Sequence, residues 1–329
     1  MVVKHIAIIG LGSIGCRHLR ILRELRPAIN ITVVRTGKGV KSEDEKLADK
    51  VVFSLDEAIK SDIQAAIIST PASFHVDQAL TFAKVGIHML VEKPLSHKLD
   101  NLDELRRLIK KNEIITLVGY VLRHHPAAKF FKELFDKNII GGILYVNVEC
   151  GSYLPDWRPG KNYKTSVSAN KDLGGGVLLE LSHELDYIRW IFGEINNIYA
   201  QIDNSGTLDI NVEDSANLII STETNHSINV HLDFNRRFPT RRCVIHGTKG
   251  YLKWDLLEQK VSWHVVGDEI KNDLFDFERN YIYQLQLEHF LDCLENGISP
   301  LVTFEDGFEV LRLVESAKQS HKIGKRIFL

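Results

Sequence analysis

An α/β protein is predicted, with a doubly wound parallel sheet in its first part and a β-rich region after residue 193. Three observations predict it. Short apolar runs alternate with helical patterns through about residue 136. A glycine turn, Gly10-Leu11-Gly12-Ser13-Ile14-Gly15, stands between the first run and the first helix. Strand-like segments separated by turns then dominate beyond residue 193.

The first run, residues 5–9, has no polar alternation and reads as a strand buried on both faces. Gly10 interrupts it, so it is expected to be a strand and not a signal peptide. Residues 14–25 follow as a helix, with Ile14, Leu19, Ile21, Leu22 and Leu25 available for burial and Pro27 helping to end it. Residues 29–34 form the second strand. The alternation continues with strands at 65–69, 88–91 and 115–118 and helices at 74–85, 100–111 and 127–136. A long strand is expected at 143–151, and Gly174-Gly175-Gly176 opens a helix reaching about 193. Strands at 197–202, 215–221, 227–234, 242–246 and 251–254 follow, and helices at 281–296 and 305–320 close the chain. The expected division is a dinucleotide-binding domain over 1–122 and a substrate-binding and oligomerisation domain over 123–329.

With 329 residues the chain is too long for one ordinary compact domain. Its 44% hydrophobic and 26% charged residues supply a core and a solvated surface. The net charge of −2 offers no broad footprint for nucleic acid, and no apolar run approaches a membrane span. Cys16, Cys150, Cys243 and Cys293 are scattered, which fits reduced thiols in the cytoplasm and no zinc site. No metal is expected.

The glycine turn has a strand before it and a helix after it, the context that gives GxGxxG its meaning. Its glycines allow a tight turn and close approach of a pyrophosphate to backbone N–H groups, so Gly10, Gly12, Ser13, Ile14 and Gly15 are candidate cofactor contacts. At the end of the second strand an NAD site usually carries Asp or Glu. Here the chain reads Val34-Arg35-Thr36-Gly37-Lys38. Arg35 suits a 2′-phosphate and Thr36 adds a donor, while Lys38 adds positive charge. NADP(H) is therefore favoured, with NAD(H) as the second candidate. Gly10, Arg35, Thr70, Glu92 and Tyr120 all fall at expected strand ends, where open parallel sheets bind ligands.

Four segments together resemble the Gfo/Idh/MocA family (glucose-fructose oxidoreductase, inositol dehydrogenase, rhizopine catabolism). They are the glycine turn, Thr70-Pro71-Ala72-Ser73-Phe74-His75, Glu92-Lys93-Pro94, and Gly174-Gly175-Gly176 leading to His183 and Asp186. The resemblance implies a Rossmann domain followed by an α/β domain with a large open, mainly antiparallel sheet. It also implies hydride transfer to or from a sugar, polyol or nucleotide-linked sugar. Lys93 then becomes the candidate general acid/base, with Thr70, Pro71, His75 and Glu92 beside the cofactor. Tyr120 and Arg123, which lie where the family crosses between domains, are candidate substrate contacts, and Val121 stands where the family often has Asn.

In the helix after the glycines, helical spacing places Glu180, His183 and Tyr187 on one face. The family commonly has Asp-x-x-x-His there, whereas this chain has Glu180-x-x-His183. His183 is the second catalytic candidate, with Glu180 as a substrate contact. The segment 153–163 adds Trp157 and Tyr163, which suit stacking on a sugar, and Arg158, which suits an anionic group. Packing within the domain or at a subunit interface is the competing reading of that loop. Arg236, Arg237, Arg241 and Arg242 suit phosphate, a solvated turn or a subunit contact.

The leading function is an NAD(P)-dependent sugar oxidoreductase in carbohydrate biosynthesis or modification, assembled as a homodimer or homotetramer through the C-terminal sheet. A redox-neutral epimerase, eliminase or glycosidase with tightly held cofactor is the second reading. A non-catalytic cofactor-sensing regulator is the third.

Overall fold

The computed structural model describes residues 2–37 and 41–329 and divides the chain into two compact units. The first comprises residues 1–124 and 278–309, apart from the undescribed positions, and the second 125–277 and 310–329. The return of residues 278–309 to the first unit follows the β-rich stretch in sequence.

The first unit is a Rossmann domain. It holds β1 (His5–Ile9), β2 (Asn30–Val34), β3 (Lys50–Val52), β4 (Ala65–Ile68), β5 (His88–Val91) and β6 (Thr116–Val118) in one parallel sheet ordered β3-β2-β1-β4-β5-β6. The order reverses between β1 and β4, so the carboxyl edge beside them is the switch point where such sheets receive ligands. The helices are α1 (Ser13–Leu25), α2 (Leu55–Ile59), α3 (His75–Ala83) and α4 (Leu102–Lys111). Between strand and helix, Gly10 takes a positive φ of 88°. A Cβ on Gly15 would stand 2.1 Å from the Gly10 carbonyl oxygen, so only glycine lets α1 pack this close to the turn.

Ile6, Ile8, Ile31, Val33, Ile67 and Leu90 lie in the core beneath Leu19 and Leu22 of α1. Leu287, Phe290 and Leu291 pack into the same core. Burying each such side chain stabilises the fold by roughly 1.5–3 kcal/mol. Numbered in chain order, α5 (Pro126–Asp136), α6 (Val177–Glu180) and α7 (His183–Phe192) belong to the second unit, and α8 (Arg279–Asn296) carries the returning core residues. The last helix, α9 (Phe304–Ile323), has residues 304–309 in the first unit and the rest in the second.

The second unit is built on a nine-stranded sheet. Its strands are β7 (Ile143–Gly151), β8 (Ile195–Asp203), β9 (Ser215–Thr222), β10 (Ser227–Asp233), β11 (Thr240–Gly247), β12 (Gly250–Asp255), β13 (Lys260–Val265), β14 (Lys271–Leu274) and β15 (Ile327–Phe328). Their order is β14-β13-β12-β11-β7-β10-β9-β8-β15, and every neighbouring pair is antiparallel except β7 with β10. The expected open, mainly antiparallel sheet is therefore present.

One expected element is corrected. The helix expected from 177 to about 193 breaks at Leu181 and Ser182 into α6 and α7. Ser182 Oγ donates to the Leu179 carbonyl at 2.8 Å inside the break. Helical spacing consequently does not hold Glu180, His183 and Tyr187 on one face. Tyr187 is fully buried against Trp254, with ring centres 5.3 Å apart, whereas Glu180 and His183 are half-buried. Among the described residues, no helix is long and apolar enough to cross a membrane.

Candidate active site

In the first unit, the strand ends place Gly10, Arg35, Thr70, Glu92 and Tyr120 just beyond the carboxyl edge of one parallel sheet. Gly12 faces open space: a Cβ there would meet nothing within 4 Å. That opening lies at the N-terminus of α1, whose first turn contains Ser13 and Ile14 and no acidic residue. The glycine turn thus leaves room for a dinucleotide pyrophosphate beside free backbone N–H groups of a helix N-terminus. Ser69 supports it from β4, donating to Gly10 O at 3.0 Å and Ile9 O at 2.9 Å.

Lys93 is half-buried immediately after β5, two strands along the edge from β1. The Lys93–Pro94 bond is cis. Behind the lysine lies a buried hydrogen-bonded pair that sequence reasoning missed. His18 of α1 is fully buried, and its Nε2 stands 2.6 Å from Glu92 Oε1. His18 Nδ1 has no hydrogen-bond partner among the described residues, so the geometry selects the tautomer protonated at Nε2. The other carboxylate oxygen accepts from the Lys93 backbone N–H at 3.3 Å. Gly119 leaves room for that carboxylate, since a Cβ would come within 2.9 Å of Oε2. The available signal was the i, i+3 spacing of Gly15 and His18, which puts the histidine on the sheet-facing side of α1.

His75 is buried between two carbonyls, with Nδ1 2.9 Å from Pro94 O and Nε2 2.8 Å from Thr70 O. Burial lowers its pKa, against the opposing pull of the two carbonyls. A neutral ring donates to one of them. The ring therefore lies between the Thr70-Pro71 turn and the turn that carries Lys93, and Thr70 Oγ1 donates to Gln78 at 2.7 Å.

Arg35 and Thr36 follow β2 as expected, and Lys38 lies outside the described residues. The strand end lacks its own carboxylate, but a carboxylate arrives from elsewhere. Glu45, buried in a short 3-10 turn (Glu43–Leu47), accepts from the Arg35 guanidinium. Tyr120 and Arg123 are put to internal use: Tyr120 has no exposed surface, and Arg123 donates to Asp306 at 2.9 Å and Leu301 O at 3.3 Å.

The second unit brings Trp157, Arg158 and Tyr163 around one cavity of about 140 Å³, with Lys161, Ser166 and Ser168 also lining it. The polar tips of both aromatics are internally satisfied: Trp157 Nε1 donates to Ser152 Oγ at 2.7 Å and Tyr163 OH to Leu208 O at 3.0 Å. Only their ring surfaces remain for stacking. Ser168 connects this cavity to the next motif by donating to Glu180 Oε1 at 3.0 Å.

His183 is the first residue of α7. Next to it, Glu184 is completely buried and paired with Arg241 of β11, at 2.7 and 3.2 Å. Burial disfavours the Arg241 cation, but the adjacent carboxylate outweighs it and raises the pKa. Burial pushes the neighbouring Cys150 thiol up, and Glu184 adds to that effect.

Two further features of this unit are engaged within the protein. The glycine run does not leave α6 open to an external anion: a Cβ on Gly176 would meet the Glu213 carboxylate at 2.4 Å, and Leu178 N–H donates to that carboxylate at 3.4 Å. The arginine cluster is also internally engaged. Arg236 pairs with Asp233 and Glu149, Arg242 with Glu149, and Arg237 lies 3.5 Å over the Tyr153 ring. No group of three or more His, Cys, Asp or Glu among the described residues is placed to hold a metal ion.

Two family models match. Residues 4–120 fit the oxidoreductase family's NAD-binding Rossmann fold, and residues 132–329 fit its C-terminal alpha/beta domain. Scyllo-inositol 2-dehydrogenase (NAD⁺) of Bacillus subtilis is 27% identical over 98% of this chain and 95% of its own. A 2,7-anhydro-N-acetylneuraminate hydratase of Mediterraneibacter gnavus is 25% identical over 80% of this chain and 70% of its own. Levoglucosan dehydrogenase, in complex with NADH and levoglucosan, superposes with a TM-score of 0.89 over 99% of both chains at 17% identity. A Bordetella pertussis dehydrogenase in complex with NADH and UDP-GlcNAcA gives 0.84 over 100% of this chain and 98% of that one, at 18% identity. At these identities the two structural matches establish the fold alone.

Proposed function

The chain belongs to the Gfo/Idh/MocA oxidoreductase family, and from that premise we propose that it transfers hydride between a nicotinamide cofactor and a sugar, polyol or nucleotide-sugar, in carbohydrate biosynthesis or modification. The observation that carries this reading is the shared sheet edge: the open glycine turn after β1 and Lys93 after β5 lie on the same carboxyl side. When bound, the nicotinamide supplies the hydride donor or acceptor. Lys93 is the general acid/base that moves the proton of the reacting oxygen, and His183 is the second proton-handling group. His18 acts behind Lys93 by orienting the Glu92 carboxylate, and His75 positions the turn between Pro94 and Thr70.

Around the substrate, the ring surfaces of Trp157 and Tyr163 suit a sugar face, Arg158 suits an anionic substituent, and Glu180 orients hydroxyls. Tyr120 and Arg123 support the end of β6. NADP(H) is favoured through Arg35, with NAD(H) the alternative. The exposed Tyr145, Tyr199 and Ile219 of the second unit's sheet suit pairing with another copy, as a homodimer or homotetramer. Four free, buried cysteines fit a cytoplasmic location.

The hydratase relative favours one second reading, since adding water involves no net redox change. In that reading the cofactor is retained and the hydride is returned to the substrate within each turnover. A screen of free sugars, polyols and nucleotide sugars, with absorbance at 340 nm and product analysis in parallel, tests both. Substrate-dependent change in NAD(P)H supports the dehydrogenase. Product formed without net change, on cofactor that stays bound, replaces it with the redox-neutral enzyme. Neither signal from any carbohydrate class would overturn both readings.

A further inference from the structure

Arg35 is the cation that the cofactor reading assigns to a 2′-phosphate, yet its guanidinium is already engaged. The partner, Glu45, is not adjacent in sequence or strand. It comes from the short turn after Ser42, and its side chain is 7% exposed. The carboxylate is held from two sides. Its Oε1 accepts from the Ser42 backbone N–H at 3.1 Å, closing a capping box, and accepts from Arg35 as well. Lys41 and Lys46 share the surrounding cavity with Glu45.

We propose that Glu45 is the specificity-determining residue for the cofactor: it neutralises Arg35 in an ion pair that a 2′-phosphate must compete with and an unphosphorylated ribose need not. The inference rests on the nicotinamide-cofactor reading above and deepens it. A free arginine at this strand end would favour the phosphorylated cofactor through a charge-assisted, bidentate contact. An arginine neutralised by a buried carboxylate loses much of that advantage, because the phosphate meets a pair with no net charge. Cofactor choice is then set by two residues, and the one that lowers the NADP preference lies ten positions beyond Arg35.

The test is equilibrium titration of NADH and NADPH by fluorescence, with no substrate present. Glu45→Gln keeps an oxygen for the Ser42 N–H and removes the charge. The ratio of NADPH to NADH affinity should rise about tenfold, with NADH affinity nearly constant. Glu45→Asp draws the carboxylate back by one methylene and should shift the ratio the same way by a smaller factor, which keeps the test open where the glutamine variant folds poorly. In an Arg35→Gln background the Glu45→Gln effect should disappear. A ratio within twofold of the parent for the glutamine and aspartate variants would leave Glu45 as a helix cap only. An undiminished effect without Arg35 would equally overturn the proposal. Absence of binding of either cofactor to the parent protein would instead bring down the cofactor reading on which it stands.

Discussion

The two units build their chemistry by different means. In the first, function is placed by backbone: six strands end on one edge, and glycines at 10, 12 and 15 shape the opening. In the second, side chains far apart in sequence do the placing. Glu184 and Arg241 are separated by 57 positions and Tyr163 is fixed by Leu208, 45 positions on, with Trp157 held more locally by Ser152. Backbone placement tolerates change in side chains, except at the group that reacts. Side-chain placement concentrates risk in a few buried pairs. All four tryptophans, at 157, 190, 254 and 263, belong to the second unit, so intrinsic tryptophan fluorescence follows that unit and cofactor binding follows the first.

The sharpest break in the first unit is Lys93→Met. Removing an acid/base group costs roughly 10²–10⁴-fold in rate. Since the glycine cradle is made of backbone, cofactor affinity should remain within a few-fold. Steady-state rates alongside NADH titration check both halves, and turnover within a factor of two of the parent would end the assignment of Lys93 as the proton-transfer group.

The corresponding break in the second unit is structural. Arg241→Met leaves the Glu184 carboxylate buried without its cation, and losing one partner of a buried pair costs about 3–5 kcal/mol. Denaturant unfolding followed by tryptophan fluorescence should show that loss. A midpoint unchanged within error would mean that the pair carries no stability, and that the second unit is not organised around it.

This contrast also explains what could be read from sequence. The apolar strands of the first unit, the glycine turn and the position of Lys93 depend on residues within a few positions of each other, and their places in the sheet came out as expected. The short β3 and α2 were missed because three and five residues carry little periodicity. In the second unit, β14 shows no apolar alternation and is wholly exposed, so nothing in its sequence marks it. The break between α6 and α7 was hidden because the apolar spacing of Val177, Leu181 and Leu185 continues across it. Glu45 opposite Arg35, His18 behind Glu92 and Arg241 beside Glu184 were illegible for a common reason: each pair is made by tertiary folding and not by local spacing.

A pH experiment separates the units next. His125, in the second unit, is packed edge-on against Trp254 and Phe277, with ring centres 5.6 and 5.0 Å away. Burial, helped by the Arg241 charge, lowers its pKa from 6.5 to about 4. As pH falls below 6.5 the unfolded chain takes up this proton before the folded one does, so stability is lost between pH 6.5 and about 4. The shift corresponds to about 3 kcal/mol at full extent. His125 Nδ1 also caps α5 by accepting from Ala127 N–H at 3.1 Å, a role Asn can take over. His125→Asn should therefore be less stable than the parent at pH 7, with the deficit shrinking by pH 4.5. A deficit constant across that range would show that His125 does not titrate in the unfolding equilibrium.

The smallest effect on stability, and the finest test of the comparison, comes from Gly12. Its φ of −71° is open to any residue, and an added Cβ would touch nothing within 4 Å. Gly15 differs, because a Cβ there collides with the Gly10 carbonyl and would push α1 from the sheet. Gly12→Ala should consequently leave folding stability within about 0.5 kcal/mol of the parent, as for a surface change that disturbs no packing. The space beside Gly12 is nevertheless where the cofactor reading brings a pyrophosphate against the backbone, and a methyl group there obstructs it. Affinity for NADH and NADPH should fall together by about tenfold, on the order of 1.4 kcal/mol, without altering their ratio. That common fall distinguishes the pyrophosphate cradle from the Arg35–Glu45 pair, whose variants should change the ratio. Unchanged affinity for both cofactors in a folded Gly12→Ala protein would mean that the opening at Gly12 is not where the pyrophosphate approaches.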